Sequence, residues 1–319
     1  MTLTAEPQIV VPRIGYLVPA SFLGAHLFAM TTTSKRPGDT GAAPNVLSVF
    51  IPALEGMRGL AALGVLVTHV AFQTATTGPD VFGRILGRLD LAVALFFALS
   101  GFLLWRPYAS AARGLGRPHS LFRYWLSRAT RILPAYWVAV FLVLAFLPAA
   151  NGASVRVWVS NLTLVQVFVP MTLTDGLTQM WSLSVEVAFY LVLPFIGIAL
   201  FGLRGAAARW RIPLLLGVSA VSLVWAFLPI PTPEHINHDN WLPGFIPWFA
   251  AGMLIAELAV VPPTWVHRLA HRRGLMFVIA ACAFGLATMN LAGPPALVQP
   301  APWQYAIKIT LGAVMSFAL

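Results

Sequence analysis

The feature that most limits the fold is a succession of apolar segments, each about as long as a bilayer is thick. They run roughly over 57–76, 90–105, 132–149, 181–203, 212–229, 242–261, 275–293 and 303–319. A helix rising about 1.5 Å per residue crosses the hydrocarbon layer in about 17–25 residues, close to the length of these segments. Backbone N–H and C=O groups inside hydrocarbon have to be satisfied within the segment itself, which selects helices for isolated apolar stretches of this length. The chain therefore reads as all-α, a polytopic transmembrane helix bundle of about eight spans. Composition decides one point: 59% of residues are hydrophobic and 9% charged, where a soluble domain carries about 25% charged residues. A water-soluble fold is excluded.

Two apolar stretches stand outside that set. Val157 to Val169 is short and interrupted by Asn161 and Gln166, and reads as interfacial or re-entrant. Ile14 to Met30 contains Pro19, Ser21 and His26 and reads as a weak signal-like segment. Residues 1–48 are thus expected to be a largely disordered leader and 49–319 the membrane domain. The polar run that starts at Met30 makes that residue an alternative beginning of the protein.

The formal net charge of +10 would suit a nucleic-acid partner, but the cations alternate with the apolar segments instead of forming one basic patch. Arg106, Arg113, Arg117, Arg123, Arg128 and Arg131 fall between the second and third segments, Arg204, Arg209 and Arg211 between the fourth and fifth, and Arg268, Arg272 and Arg273 between the sixth and seventh. Lys35 and Arg36 precede the first. If the segments alternate in direction, all these loops share one side, and the other side has only Arg84, Arg88 and Arg156. The positive-inside rule makes the arginine-rich side, and the N-terminus, cytoplasmic. The single Cys282 lies in an apolar stretch, so no disulfide framework is expected and the residue reads as a small core side chain.

Within the first segment, Arg58 and His69 are eleven residues apart. Eleven steps of about 100° come to about 20° past three turns, so the two side chains share a face about 16 Å apart along the axis. Ionisable groups are costly in hydrocarbon, and such a pair suggests function unless the arginine snorkels and the histidine bonds a neighbouring helix. Glu55, one turn before Arg58, reads as its i,i+3 partner. Glu257 is expected to pair with Arg268, Arg272 or Arg273. His235, His238 and Asp239 read as a solvated loop and not a metal site, and His267 with His271 as part of a basic face and not a zinc pair. Ser100-Gly101 reads as a close-packing point between helices.

Four patches resemble one family. Leu54-Glu55-Gly56-Met57-Arg58-Gly59-Leu60-Ala61-Ala62-Leu63 followed by His69, Leu95-Phe96-Phe97-Ala98-Leu99-Ser100-Gly101-Phe102-Leu103-Leu104, Arg128-Ala129-Thr130-Arg131-Ile132-Leu133-Pro134-Ala135-Tyr136-Trp137, and Trp181-Ser182-Leu183-Ser184-Val185-Glu186-Val187-Ala188-Phe189-Tyr190-Leu191-Val192-Leu193-Pro194 occur in this order. Together they are similar to the bacterial integral-membrane acyltransferase family 3, whose members move acyl groups onto hydroxyls of envelope sugars, glycolipids or antibiotics. Glu55 stands where that family commonly has aspartate.

The resemblance implies an O-acyltransferase in the bacterial inner membrane that takes an acyl group, acetyl in the first instance, from cytoplasmic acyl-CoA. It uses this donor as a substrate and keeps no bound cofactor or metal. Arg58, Arg128 and Arg131 are then the candidates for the donor's phosphates, since guanidinium groups bind phosphate by paired hydrogen bonds. Topology alone would also account for Arg128 and Arg131. His69 is the candidate catalytic base, or a transient acyl carrier. Glu186 is the second catalytic candidate, able to orient an imidazole, bind sugar hydroxyls or pair with an arginine. Trp181 and Ser182 are the candidates for contact with the envelope glycan or glycolipid acceptor, although Trp181 could equally be an interfacial anchor. Family members have ten membrane helices, so the eight segments imply a C-terminally incomplete bundle. Two alternatives stand beside the enzyme: a transporter or flippase of a lipid-linked sugar, and an inactive fragment.

Overall fold

A computed structural model describes residues 51–116, 120–234, 236–294 and 299–319. The leader, with its alternative start at Met30, lies outside the described residues, as do Arg117 and His235. All the described residues belong to one compact unit, Leu47–Leu319. Its eleven described α-helices are α1 Pro52–Gln73, α2 Val81–Arg88, α3 Ala92–Ala112, α4 Leu121–Phe146, α5 Val155–Leu162, α6 Trp181–Ala199, α7 Arg211–Ser222, α8 Leu242–Leu258, α9 Trp265–Ala270, α10 Arg273–Ala287 and α11 Pro302–Ala318.

Six helical stretches among the described residues are long and apolar enough to cross a membrane: Pro52–Gln73, Val81–Ala112, Leu121–Phe146, Thr178–Gly202, Gly205–Phe227 and His238–Leu258. The chain is a multi-pass membrane protein. The last two expected segments form shorter helices, α10 with 15 residues and α11 with 17. Beyond α10 the backbone turns through a 3-10 segment, Asn290–Ala292, into Gly293 at φ +84°, a conformation that suits glycine.

Helix boundaries differ from the hydropathy pattern for local reasons. Pro52 occupies the first turn of α1, where its missing N–H costs nothing, so this helix starts several residues early. The Asp80 side chain accepts a 3.0 Å hydrogen bond from Gly83 N and starts α2 ahead of the apolar run. Arg84 and Arg88 are therefore helical and not loop residues. Arg88 is buried, its guanidinium donating to the carbonyls of Ala292 and Gly293, the latter at 2.7 Å. Likewise α4 begins at Leu121, which draws Arg123, Arg128 and Arg131 into the helix.

The segment around Val157 to Val169 is a short helix followed by a turn that buries Leu164, Gln166 and Val167, and the polar residues that interrupt its hydropathy fasten it. Asn161 Nδ2 donates to Val157 O and Thr172 O, both at 2.9 Å, while Tyr136 of α4 donates to Asn161 O at 2.6 Å.

The centre of the bundle is the contact between α3 and α8. A Cβ on Gly252 would come within 1.7 Å of Ala98 O, and one on Gly101 within 2.1 Å of Phe249 O, so the backbones meet where both helices carry glycine. The close-packing reading of Gly101 holds. Phe249 stacks on Phe97 at 4.4 Å and on Phe189 of α6 at 4.0 Å, extending the same core. The helix α1 lies outside it, packed against α2 and α3 through Ala61, Gly64, Thr68 and Ala71, while Leu60, Leu63, Leu66 and Val70 face outward. Cys282 is exposed on α10, contrary to the core reading. Its helix is buried through Ala280, Ala283 and Ala287 instead, and an apolar residue gains as much from facing lipid as from facing protein.

Candidate functional site

On α1 the structure joins Arg58 to Glu55, with Nη1 and Oε1 3.1 Å apart. Four residues before the end of the helix, His69 has Nδ1 at 2.7 Å from Val65 O, one turn back. A carbonyl only accepts, so Nδ1 carries the hydrogen and the basic lone pair is on Nε2. The histidine's own helix thus fixes the tautomer suited to a base. Its ring also meets Phe72 edge to face at 6.1 Å.

Glu186 is on α6, which packs against α3. Its Oε1 accepts hydrogen bonds from Tyr190 Oη and from Ser100 Oγ, and the two hydroxyls are themselves 3.1 Å apart. The hydroxyl of Ser100 therefore does more than allow close packing. Among the described residues Glu186 bonds neither an imidazole nor a guanidinium. The helices α1 and α3 run antiparallel, with Gly64 against Ala92. His69 is five residues beyond that level and Ser100 eight residues the other way, about 20 Å apart along the bundle at about 1.5 Å per residue.

Two expected acceptor residues are near Glu186 in sequence but make other contacts. Ser182 Oγ donates to Gln179 O at 3.1 Å, which secures the start of α6. Trp181 is half-buried with its ring 5.2 Å from that of Phe245.

The arginines of α4 separate. Arg128 lines a cleft of about 300 Å³ between α3 and α4 together with Leu103, Leu104, Pro107, Tyr108, Arg123, Tyr124 and Ser127. Arg128 Nε and the Tyr124 hydroxyl are buried there without hydrogen-bond partners among the described residues. Arg128 is also close enough to act electrostatically on Tyr124 and Tyr190. Arg131 is exposed and does not line the cleft. Arg123, Tyr108 and Tyr124 are the residues that the motif reading missed here. Their signal was a polar or aromatic side chain one turn from a motif residue.

Glu257 is fully buried, and its partners are not the expected Arg268, Arg272 and Arg273. It receives Arg113 Nη1 at 2.6 Å, Arg211 Nε at 2.7 Å and Trp105 Nε1 at 2.7 Å. The basic loop after α8 was the nearer choice in sequence, but the helix buries Glu257 on the side that faces α3 and α7. At the other end of α8, His238 Nε2 and Asp239 Oδ1 are 3.5 Å apart, and Gln299 donates to Asp239 Oδ2 at 3.2 Å. His267 starts α9, accepting at Nδ1 from Thr264 N and donating from Nε2 to Leu258 O, both at 3.0 Å.

A family model described as an acyltransferase domain matches residues 51–319. The acyltransferase MdmB of Streptomyces mycarofaciens is 37% identical over 160 residues, 46% of this chain and 39% of the relative. The peptidoglycan O-acetyltransferase OatA of Listeria monocytogenes is 26% identical over 214 residues, 60% of this chain and 31% of the relative. The chain thus spans well under half the length of these curated relatives. No solved structure matches it.

Proposed function

The chain belongs to the acyltransferase family whose model covers residues 51–319, and on that premise we propose that it moves an acyl group, acetyl in the first instance, from acyl-CoA to a hydroxyl of an envelope carbohydrate or glycolipid. The family makes it an acyltransferase. Donor, acceptor and sidedness are the proposal. The observation that carries it is the cleft between α3 and α4, where Arg128 Nε and the Tyr124 hydroxyl are buried without partners and Arg123 adds a second cation. Buried polar atoms without partners call for an explanation, and guanidinium groups suit phosphate. The positive-inside rule would put this end of the bundle, and the N-terminus, in the cytoplasm of a bacterial inner-membrane protein, where acyl-CoA is available.

In this reading the acceptor hydroxyl oxygen attacks the thioester carbonyl carbon. The new C–O bond forms as the C–S bond breaks, and the proton taken by His69 Nε2 ends on the leaving thiolate. Preset by the bond from Nδ1 to Val65 O, the imidazole needs no carboxylate to hold its tautomer. Glu186, with its two hydroxyl donors, stands between the donor cleft and His69 along the bundle, in reach of an acyl group that passes between them.

Detergent-solubilised protein incubated with radiolabelled acetyl-CoA and envelope extract tests the proposal. Label should move to a carbohydrate or lipid product, and His69→Ala should lower that transfer by about a hundredfold or more, the scale of a lost general base, with membrane insertion unchanged. Intact donor and movement of a lipid-linked sugar would favour the transporter.

A further inference from the structure

Two guanidinium groups, Arg113 and Arg211, converge on the single carboxylate of Glu257. The cluster therefore holds one more cation than anion, in a place where Glu257 is fully buried and Arg211 is 2% exposed. Arg211 gives Nε to Glu257 and Nη1 to Leu200 O at 3.3 Å, and its plane lies against the Trp105 ring at 5.0 Å. Nη2 is buried with no hydrogen-bond partner among the described residues. A buried guanidinium with an unused donor and an unbalanced charge is costly unless an anion meets it.

Arg211 lines a second cleft, of about 270 Å³, with Arg204, Ser120, Tyr108 and Gly197. The Arg204 guanidinium is held over the Phe201 ring at 3.4 Å, which keeps this second cation at the cleft. Tyr108 lines both clefts, so they adjoin at this residue. It cannot retreat far, because it packs where Gly197 lacks a side chain: a Cβ there would come within 2.2 Å of the ring.

We propose that this second cleft binds a phosphate group, received by Arg211 Nη2 and the Arg204 guanidinium with the Ser120 hydroxyl at its edge. The two clefts then form one groove with a cationic pair on each side of Tyr108, suited to a ligand that carries two separated phosphate groups. Taking that ligand to be the thioester donor rests on the function proposed above, and the second cleft would take the donor's 3′-phosphate. A phospholipid headgroup is the other source of the same chemistry.

Binding to the solubilised full chain distinguishes these sources. Coenzyme A, 3′-dephospho-coenzyme A and a short-chain phosphatidic acid are titrated against wild type, Arg204→Gln and Arg211→Lys, the last keeping a cation for Glu257 while losing the planar fork. Coenzyme A should bind wild type about tenfold more tightly than its dephospho form, the scale of one charge-assisted hydrogen bond, and both variants should lose that preference while binding the dephospho form as wild type does. If neither coenzyme binds but phosphatidic acid does so in an Arg204-dependent way, the phosphate site stands and the donor reading falls. If the variants change the affinity for none of the three ligands, the site is overturned.

Discussion

Glu186 and Glu257 are two carboxylates inside the same bundle with opposite surroundings. Glu257 is enclosed by two guanidinium groups and an indole N–H, while Glu186 is held by two neutral hydroxyls. The first arrangement fixes a charge in place. It joins α3, α7 and α8 at one end and occupies three of the carboxylate's about four acceptor sites. The second has no cation bonded to it among the described residues and is met by groups that can both donate and accept hydrogen bonds. Burial of an acidic residue is therefore a poor guide to function by itself, and the nature of the donors is what distinguishes these two carboxylates.

The sharpest way to break this contrast is Glu257→Gln. It leaves the buried Arg211 and the partly buried Arg113 without a counter-charge and should cost about 3–5 kcal/mol, seen as loss of folded protein in detergent melting curves. A protein that melts as wild type would show that the cluster is not the clamp described. Next comes Glu186→Gln, which keeps a carbonyl oxygen that can accept from both hydroxyls and replaces the other carboxylate oxygen with an amide donor. Stability should fall by only about 1–2 kcal/mol, whereas acyl transfer should drop by about a hundredfold. Transfer within a few-fold of wild type would place Glu186 beside Glu257 as structural. The smallest effect is expected for Ser182→Ala, which removes one bond to Gln179 O and should cost about 0.5–1 kcal/mol with turnover unchanged. A large rise in KM for the acceptor would return Ser182 to the acceptor side.

The same two carboxylates show what could be read from the chain itself. The approximate positions of the long helices follow from hydropathy, and the pairing of Arg58 with Glu55 follows from spacing within one helix, because both are local. Glu257 is 144 residues from Arg113 and 46 from Arg211, so no periodicity connects them. Its nearer basic loop was a reasonable choice that helix rotation overturned. The direction taken by Cys282 was equally illegible, since lipid and protein interior are both apolar and a membrane helix does not mark its buried face by polarity alone. Ser100 had a readable signal, a hydroxyl in an apolar helix, but not its partner, which α6 brings from 86 residues away.

The glycine contact between α3 and α8 has a mechanical consequence. With backbone against backbone at Gly101 and Gly252, the two helices cannot slide past each other without driving a side chain into a carbonyl. The same helix α3 supplies Trp105 and Arg113 to one carboxylate and Ser100 to the other, so its register is locked at three heights at once. The α3–α8 pair behaves as a fixed axle. Any opening that admits a donor or an acceptor has to come from the elements mounted around it: α1, which carries Arg58 and His69, and α4, which carries Arg123 and Arg128.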